Sequence, residues 1–140
     1  MRRRWLLLYA GIFSFCASAQ PYPSRPVHLV IPFSAGGLVD VPGRLIAARL
    51  SEALGQPVVV DNKPGAGSTI GADSVAKAKP DGYTLMLTST THVISANLYR
   101  KLPYDPLNDF APMRKLGEGP YVLLVHPSLG AKTVAELVSL

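Results

Sequence analysis

The 140-residue chain has a single cysteine, Cys16, and that residue lies within the first nineteen positions. A chain shorn of those positions has no thiol, so neither a disulfide framework nor a cysteine zinc site can be argued for it. Histidines are few and scattered. His28, His92 and His126 each lack a second His, Cys or acidic residue at i+2 to i+4, the spacing that a paired metal ligand would require, so no metal site is expected. Nucleotide-binding and nucleophile motifs are also missing. Gly65-Ala66-Gly67 is followed by Ile70 where G-x-G-x-x-G needs its third glycine, and there is no G-x-x-x-x-G-K-[ST] and no G-x-S-x-G. Ser, His and Asp all occur, but nothing local orders them into a triad, and no cofactor is implied.

Charge of one sign is scarce too, once its location is considered. The formal net charge of +5 includes Arg2, Arg3 and Arg4; without them 11 basic residues face 9 acidic ones. No basic stripe or aromatic platform remains, which argues against nucleic acid as a partner. Those arginines instead open a secretory pattern over residues 1–19. They form the n-region, Trp5 to Phe15 the apolar h-region, and Ala17-Ser18-Ala19 an A-x-A cleavage site. Eleven apolar residues fall short of the roughly 20 that span a bilayer. Phe15 is bulkier than the small residue expected before a lipidated cysteine. Export to the periplasm with cleavage after Ala19 is the expectation.

Charged residues make up 16% of the chain and hydrophobic ones 48%, which fits a globular domain rich in buried strands. Val27 to Ile31 is an apolar run bounded by Pro26 and Pro32, followed by a loop from Phe33 to Gly37. A helical face then runs from Asp40 through Leu45, Ile46, Leu50 and Leu54 to Gly55, where a C-terminal glycine is expected. The same order recurs with Val58 to Val60, the turn from Asn62 to Ser68, and a helix through Ile70 and Val75 to near Lys79. It recurs again with Tyr83 to Leu87, the loop Thr88 to Thr91, and a helix from about His92 to Leu98. Three βα units predict an α/β fold with a parallel-rich sheet and helices on both faces. Further strands are expected at Phe110 to Leu116 and Tyr121 to Val125. A capping box at Thr133 and Glu136 should start a last helix, which reaches Leu140 after about two turns.

In such a sheet the βα loops emerge together at the carboxyl ends of the strands, where ligands bind. Each loop presents N–H groups at a helix N-terminus, a favourable place for negative charge. Gly36 and Gly37 in the first loop, and Gly65 and Gly67 in the second, allow close backbone approach. Ser34, Ser68, Ser89, Thr90 and Thr91 add hydroxyl donors. A site for a small anion follows. Asp40 either caps the first helix or faces the crevice.

Several blocks then resemble one family. They are Pro32-Phe33-Ser34-Ala35-Gly36-Gly37 with Asp40 and Arg44, Val60 to Gly67, Ala76 to Leu85, Leu98-Tyr99, Lys101 to Asp105, Asp109 to Pro112, and Val125-His126-Pro127. Together they are similar to the tripartite tricarboxylate transporter substrate-binding proteins, the Bordetella uptake gene receptors. The resemblance implies a two-lobed, type II periplasmic-binding-protein-like fold. A ligand carboxylate would be held largely by main-chain amides at Phe33, Ser34, Ala35, Gly36 and Gly37 with Asp40, and at Gly65, Ala66, Gly67 and Ser68; Ser89, Thr90 and Thr91 transfer more weakly. It implies a non-enzymatic, monomeric receptor that delivers a di- or tricarboxylate or amino-acid-like solute to inner-membrane transporter subunits. Residues 20–118 would form most of the first lobe and 119–140 the crossover and start of a second, truncated one. Ser68 stands where the family usually has a further glycine, and Ser95-Ala96-Asn97 replaces its usual Asn-Pro pair. The rival readings are a fragment of an exported α/β hydrolase or isomerase, and a truncated gene product.

Overall fold

A computed structural model describes residues 21–140. The secretory pattern expected at 1–19 lies outside the described residues. The chain forms two compact units, one ending at Phe110 and the other running from Ala111 to Leu140.

In the first unit the central strand is β1, Val27–Ile31, where Val27, Leu29, Val30 and Ile31 are buried. Helix α1, Asp40–Leu54, follows it and ends at Gly55 in the left-handed conformation (φ 66°), which a glycine adopts without a Cβ penalty. Strand β2, Val58–Asn62, pairs parallel with β1 from Val27↔Val58 to Ile31↔Asn62. A 3₁₀ turn at Ala66–Ser68 leads into α2, Thr69–Ala76. Strand β3, Thr84–Met86, joins the other edge of β1 in parallel, giving the order β2-β1-β3, and α3 is Thr91–Leu98. The three βα units expected from the sequence are all present, with β2 two residues longer and α2 shorter than the periodicity predicts.

The first crossover runs from central β1 to the β2 edge, and the second runs back in the opposite direction, from β2 across β1 to β3. Since such connections are right-handed, they place α1 and α2 on opposite faces of the sheet. Side-chain alternation agrees. Leu29 and Ile31 pack with Ala47 of α1 and with Val58, Val60, Leu85 and Leu87 on one face. Two glycines set how closely the helices approach. A Cβ on Gly43 of α1 would sit 2.4 Å from Cδ1 of Ile31, and one on Gly71 of α2 would sit 2.6 Å from Cβ of Pro32 and 2.8 Å from the carbonyl oxygen of Lys63.

The start of the described chain is fastened to the turn before β3. Tyr22 donates to the carbonyl of Gly82 at 2.7 Å, Ser24 N–H donates to the hydroxyl of Tyr83 at 2.9 Å, and Arg25 pairs with Asp81 while stacking 4.0 Å over the Tyr83 ring.

In the second unit the expected strands over 110–116 and 121–125 do not form; that segment has no ladder hydrogen bonds. The reason is the cooperative nature of a strand, which exists only when a neighbour accepts and donates its backbone bonds. Within residues 111–140 there is no such neighbour, and Tyr121 to Leu124 leave their apolar side chains exposed. The local signal beyond them does hold. Glu136 N–H donates to the Thr133 hydroxyl at 3.2 Å while the Glu136 carboxylate accepts from Thr133 N–H, opening α4 at Val134–Val138. No helix among the described residues is long and apolar enough to cross a membrane.

Candidate functional site

The loop after β1 turns to the α1 face. Those after β2 and β3 lead to α2 and α3, which pack together. In open parallel sheets the ligand crevice lies at the carboxyl edge, where loops leave adjacent strands toward opposite faces; the thirteen residues expected to bind ligand lie on the three loops and helix starts at that edge.

The first loop is organised by Asp40. It is the first residue of α1, with Val39 at the N-cap position, and its side chain caps no N–H of that helix. Its carboxylate, 1% exposed, reaches back across the loop instead. Oδ2 accepts from the N–H of Gly36 at 2.7 Å and from Nε of Arg44 at 2.9 Å, and Oδ1 accepts from Nδ2 of Asn62 at 2.8 Å. Asn62 also donates to the carbonyl of Phe33 at 3.1 Å, and Arg44 donates to Oδ1 of Asn62 at 2.9 Å. The Arg44 hydrogen bond first, then those from Gly36 and Asn62, lower the Asp40 pKa from 3.8 to about 2. Both carboxylate oxygens are therefore occupied within the fold. The N–H of Gly37 is likewise taken, by the Ser34 carbonyl at 3.2 Å. Ser34, Ala35 and Gly36 are exposed at the tip, and the N–H groups of Ser34 and Ala35 meet no protein acceptor among the described residues. Phe33 turns inward against the core.

The second loop is a run of left-handed backbone, with φ of 126° at Gly65, 45° at Ala66, 61° at Gly67 and 73° at Ser68. At Ala66 and Ser68 this conformation costs about 1–2 kcal/mol each. It persists because the surroundings hold it. The Thr69 hydroxyl donates to the Ala66 carbonyl at 2.8 Å, and the Ser95 hydroxyl donates to the Gly67 carbonyl at 2.7 Å. With the carbonyls of Ala66 and Gly67 tied back, Gly65, Ala66 and Gly67 stay exposed, and their N–H groups find no protein acceptor among the described residues. Ser68 itself is 5% exposed. Ser68→Gly is expected to stabilise the fold by about 1 kcal/mol by removing Cβ from a left-handed position; urea denaturation checks this, and an unchanged or lower midpoint contradicts it.

In the third loop Ser89 donates to the Thr91 hydroxyl at 3.0 Å and accepts from Thr91 N–H at 3.3 Å, while its carbonyl accepts from His92 N–H at 3.1 Å. These bonds set the start of α3. Sequence reasoning passed over Thr88, whose hydroxyl is buried at the end of β3 without a hydrogen-bond partner among the described residues. It also passed over Asn62, Ser95 and Tyr99 as organisers of the loops. Their partners lie 18 or more residues away, and no local spacing announces them.

Each histidine has a partner of its own. His28 contacts Asp61, His92 contacts the carbonyl of Pro106 and packs against Tyr104 and Phe110, and His126 contacts Ser128. Among the described residues no three His, Cys, Asp or Glu side chains gather as a metal-binding group. A cavity of about 380 Å³ in the first unit lies elsewhere, lined by Ala96, Tyr99, Arg100, Leu102, Tyr104, Asp105 and Pro106. None of the residues expected to bind ligand lines it. The first two loops thus leave exposed N–H groups at the carboxyl end of the sheet, donors of the kind that hydrogen-bond an anion.

Residues 43–140 match the family described as tripartite tricarboxylate transporter family receptor. Protein BugT of Bordetella pertussis is 40% identical over 142 residues, covering 96% of this chain and 44% of BugT. An Agrobacterium vitis protein encoded in the TAR-I ttuE-ttuC' intergenic region is 43% identical over 136 residues, covering 96% of this chain and 39% of its own. Among solved structures, Rpa4515 of R. palustris with adipate superposes with a TM-score of 0.71 at 44% identity. MatC of Rhodopseudomonas palustris with bound malate does so with a TM-score of 0.71 at 40% identity. Both superpositions cover 84% of this chain and 40% of the other. The chain thus spans about two-fifths of the length of these relatives.

Proposed function

The chain belongs to the tripartite tricarboxylate transporter receptor family, and from that premise we propose that it is the ligand-cradling part of a periplasmic receptor for a small dicarboxylate. The receptor would hold its solute without chemical change and deliver it to transporter subunits in the inner membrane, switching by differential affinity for a closed form. Residues 1–19 would direct export, residues 20–118 would belong to the first lobe, and residues 119–140 would lead into the second.

The observation that carries this reading is the pair of exposed, acceptor-free amide arrays, at Ser34 and Ala35 after β1 and at Gly65 to Gly67 after the neighbouring β2. Amide donors fixed by the fold stabilise a carboxylate without reorganisation, and a charge-assisted bond of this kind is about twice as strong as a neutral one. Solved relatives that hold malate and adipate support a four- to six-carbon diacid.

The test is a titration of ¹⁵N-labelled protein with malate and with adipate, followed by amide chemical shifts. Saturable shifts confined to residues 33–37, 65–68 and 89–91 are expected, with dissociation constants of roughly millimolar or tighter. The diacid should be recovered intact, which separates a receptor from a hydrolase or isomerase. Shifts spread evenly over the surface, or none at all, would refute the assignment.

A further inference from the structure

The Gly67 carbonyl is anchored from a distant part of the chain. Ser95, in the middle of α3 and 2% exposed, donates its hydroxyl to that oxygen at 2.7 Å across a sequence separation of 28. The space behind the bend is closed by the same helix and by Tyr99 just beyond its end, since a Cβ on Gly67 would lie 3.1 Å from the Ser95 hydroxyl and 3.2 Å from the Tyr99 hydroxyl. The other side-chain bond to the bend, from Thr69 to the Ala66 carbonyl, is local.

A peptide unit is planar, so holding its carbonyl also orients its N–H, in this case that of Ser68. Glycine adopts either sign of φ about equally, so Gly67 by itself has no preference for the 61° it shows. The local Thr69 bond fixes the peptide before Gly67, and the Ser95 bond fixes the one after it. Between them they determine both torsions of the residue at the centre of the amide array. We propose that Ser95 is a positioning residue for ligand binding, holding the Gly65 to Ser68 bend in the conformation that turns its N–H groups outward to the anion without itself touching it. Because α3 begins at Thr91, the same helix carries the third loop at its N-terminus. One rigid element thereby sets two of the three loops relative to each other.

This inference rests on the receptor reading above, and the experiment separates their failures. Ser95→Ala, Ser95→Thr and the parent protein are titrated with malate and adipate by amide shifts, and their melting temperatures are recorded without ligand. Alanine is the better helix former, which offsets the lost hydrogen bond. Ser95→Ala should therefore melt close to the parent while its affinity falls about tenfold and the amides of Gly65 to Ser68 shift before any ligand is added. Ser95→Thr, which keeps a donor, should restore both the shifts and most of the affinity. Unchanged affinity in Ser95→Ala, with or without a lower melting temperature, overturns the positioning role and leaves the receptor reading standing. Failure of the parent itself to bind either diacid removes the receptor reading and this inference with it.

Discussion

Gly71→Ala is expected to destabilise the fold by about 3 kcal/mol, seen as a lower urea midpoint with unchanged slope. The added Cβ would meet Cβ of Pro32 at 2.6 Å, the carbonyl oxygen of Lys63 at 2.8 Å and Cα of Pro32 at 2.9 Å. Two of those atoms are backbone and the third belongs to a buried proline ring, so none can swing aside. Helix α2 must lift from the strand ends, carrying the amide bend of residues 65–68 with it. Gly43→Ala provides the contrast. Its new Cβ meets Cδ1 of Ile31 and Cδ2 of Leu87, the free ends of two side chains that can change rotamer. Alanine also gains about 1 kcal/mol of helix preference over glycine, so that substitution should be far milder. Equal losses at the two sites would contradict this account of the packing.

Asp40→Asn is expected to lower the melting temperature by on the order of 10 °C and to abolish detectable diacid binding. All three groups around the carboxylate are donors: the Gly36 N–H, Nε of Arg44 and Nδ2 of Asn62. An amide must turn its own NH₂ toward at least one of them, and it leaves the Arg44 charge uncompensated. The first loop then loses the tie that shapes its tip. The same carboxylate has a pH signature. Its folded-state pKa is lowered from 3.8 to about 2, so its contribution is fully present above about pH 4 and is lost as pH falls toward 2. Melting curves taken from pH 6 to pH 2 should show the parent protein losing stability most steeply in the lower part of that range. Asp40→Asn should lack that component. A parallel decline in both proteins would remove Asp40 from the explanation.

These two residues illustrate what could be read in the amino-acid sequence. The βα order was legible because its signals are local: β-branched runs, proline boundaries, and Gly55 closing α1 in the left-handed conformation. The Thr133 and Glu136 capping box was legible for the same reason, since the pair lies within one helical turn. The strands expected at 110–116 and 121–125 were drawn from propensity, which carries no information about whether an adjacent strand exists. The loops that border the crevice could be located, but their internal wiring could not. Asp40 could be read as a helix cap or a ligand contact, but its bond to Asn62 depends on a tertiary fact, the position of β2 relative to α1. Ser95 looked like one residue of a short helix, and its bond to Gly67 depends on how α3 lies against the second loop.

Tyr83 immediately precedes β3, at the amino end of the sheet, whereas the three βα loops leave from the carboxyl end. The hold of Tyr22, Ser24 and Arg25 on that turn fixes the polypeptide's point of departure. Anything attached upstream of Tyr22, whether an affinity tag, a fluorophore or a surface tether, therefore emerges about one strand length, roughly 10 Å or more, from the loops proposed to bind the solute. Immobilisation through that end leaves those loops unobstructed for a sensor built on this scaffold.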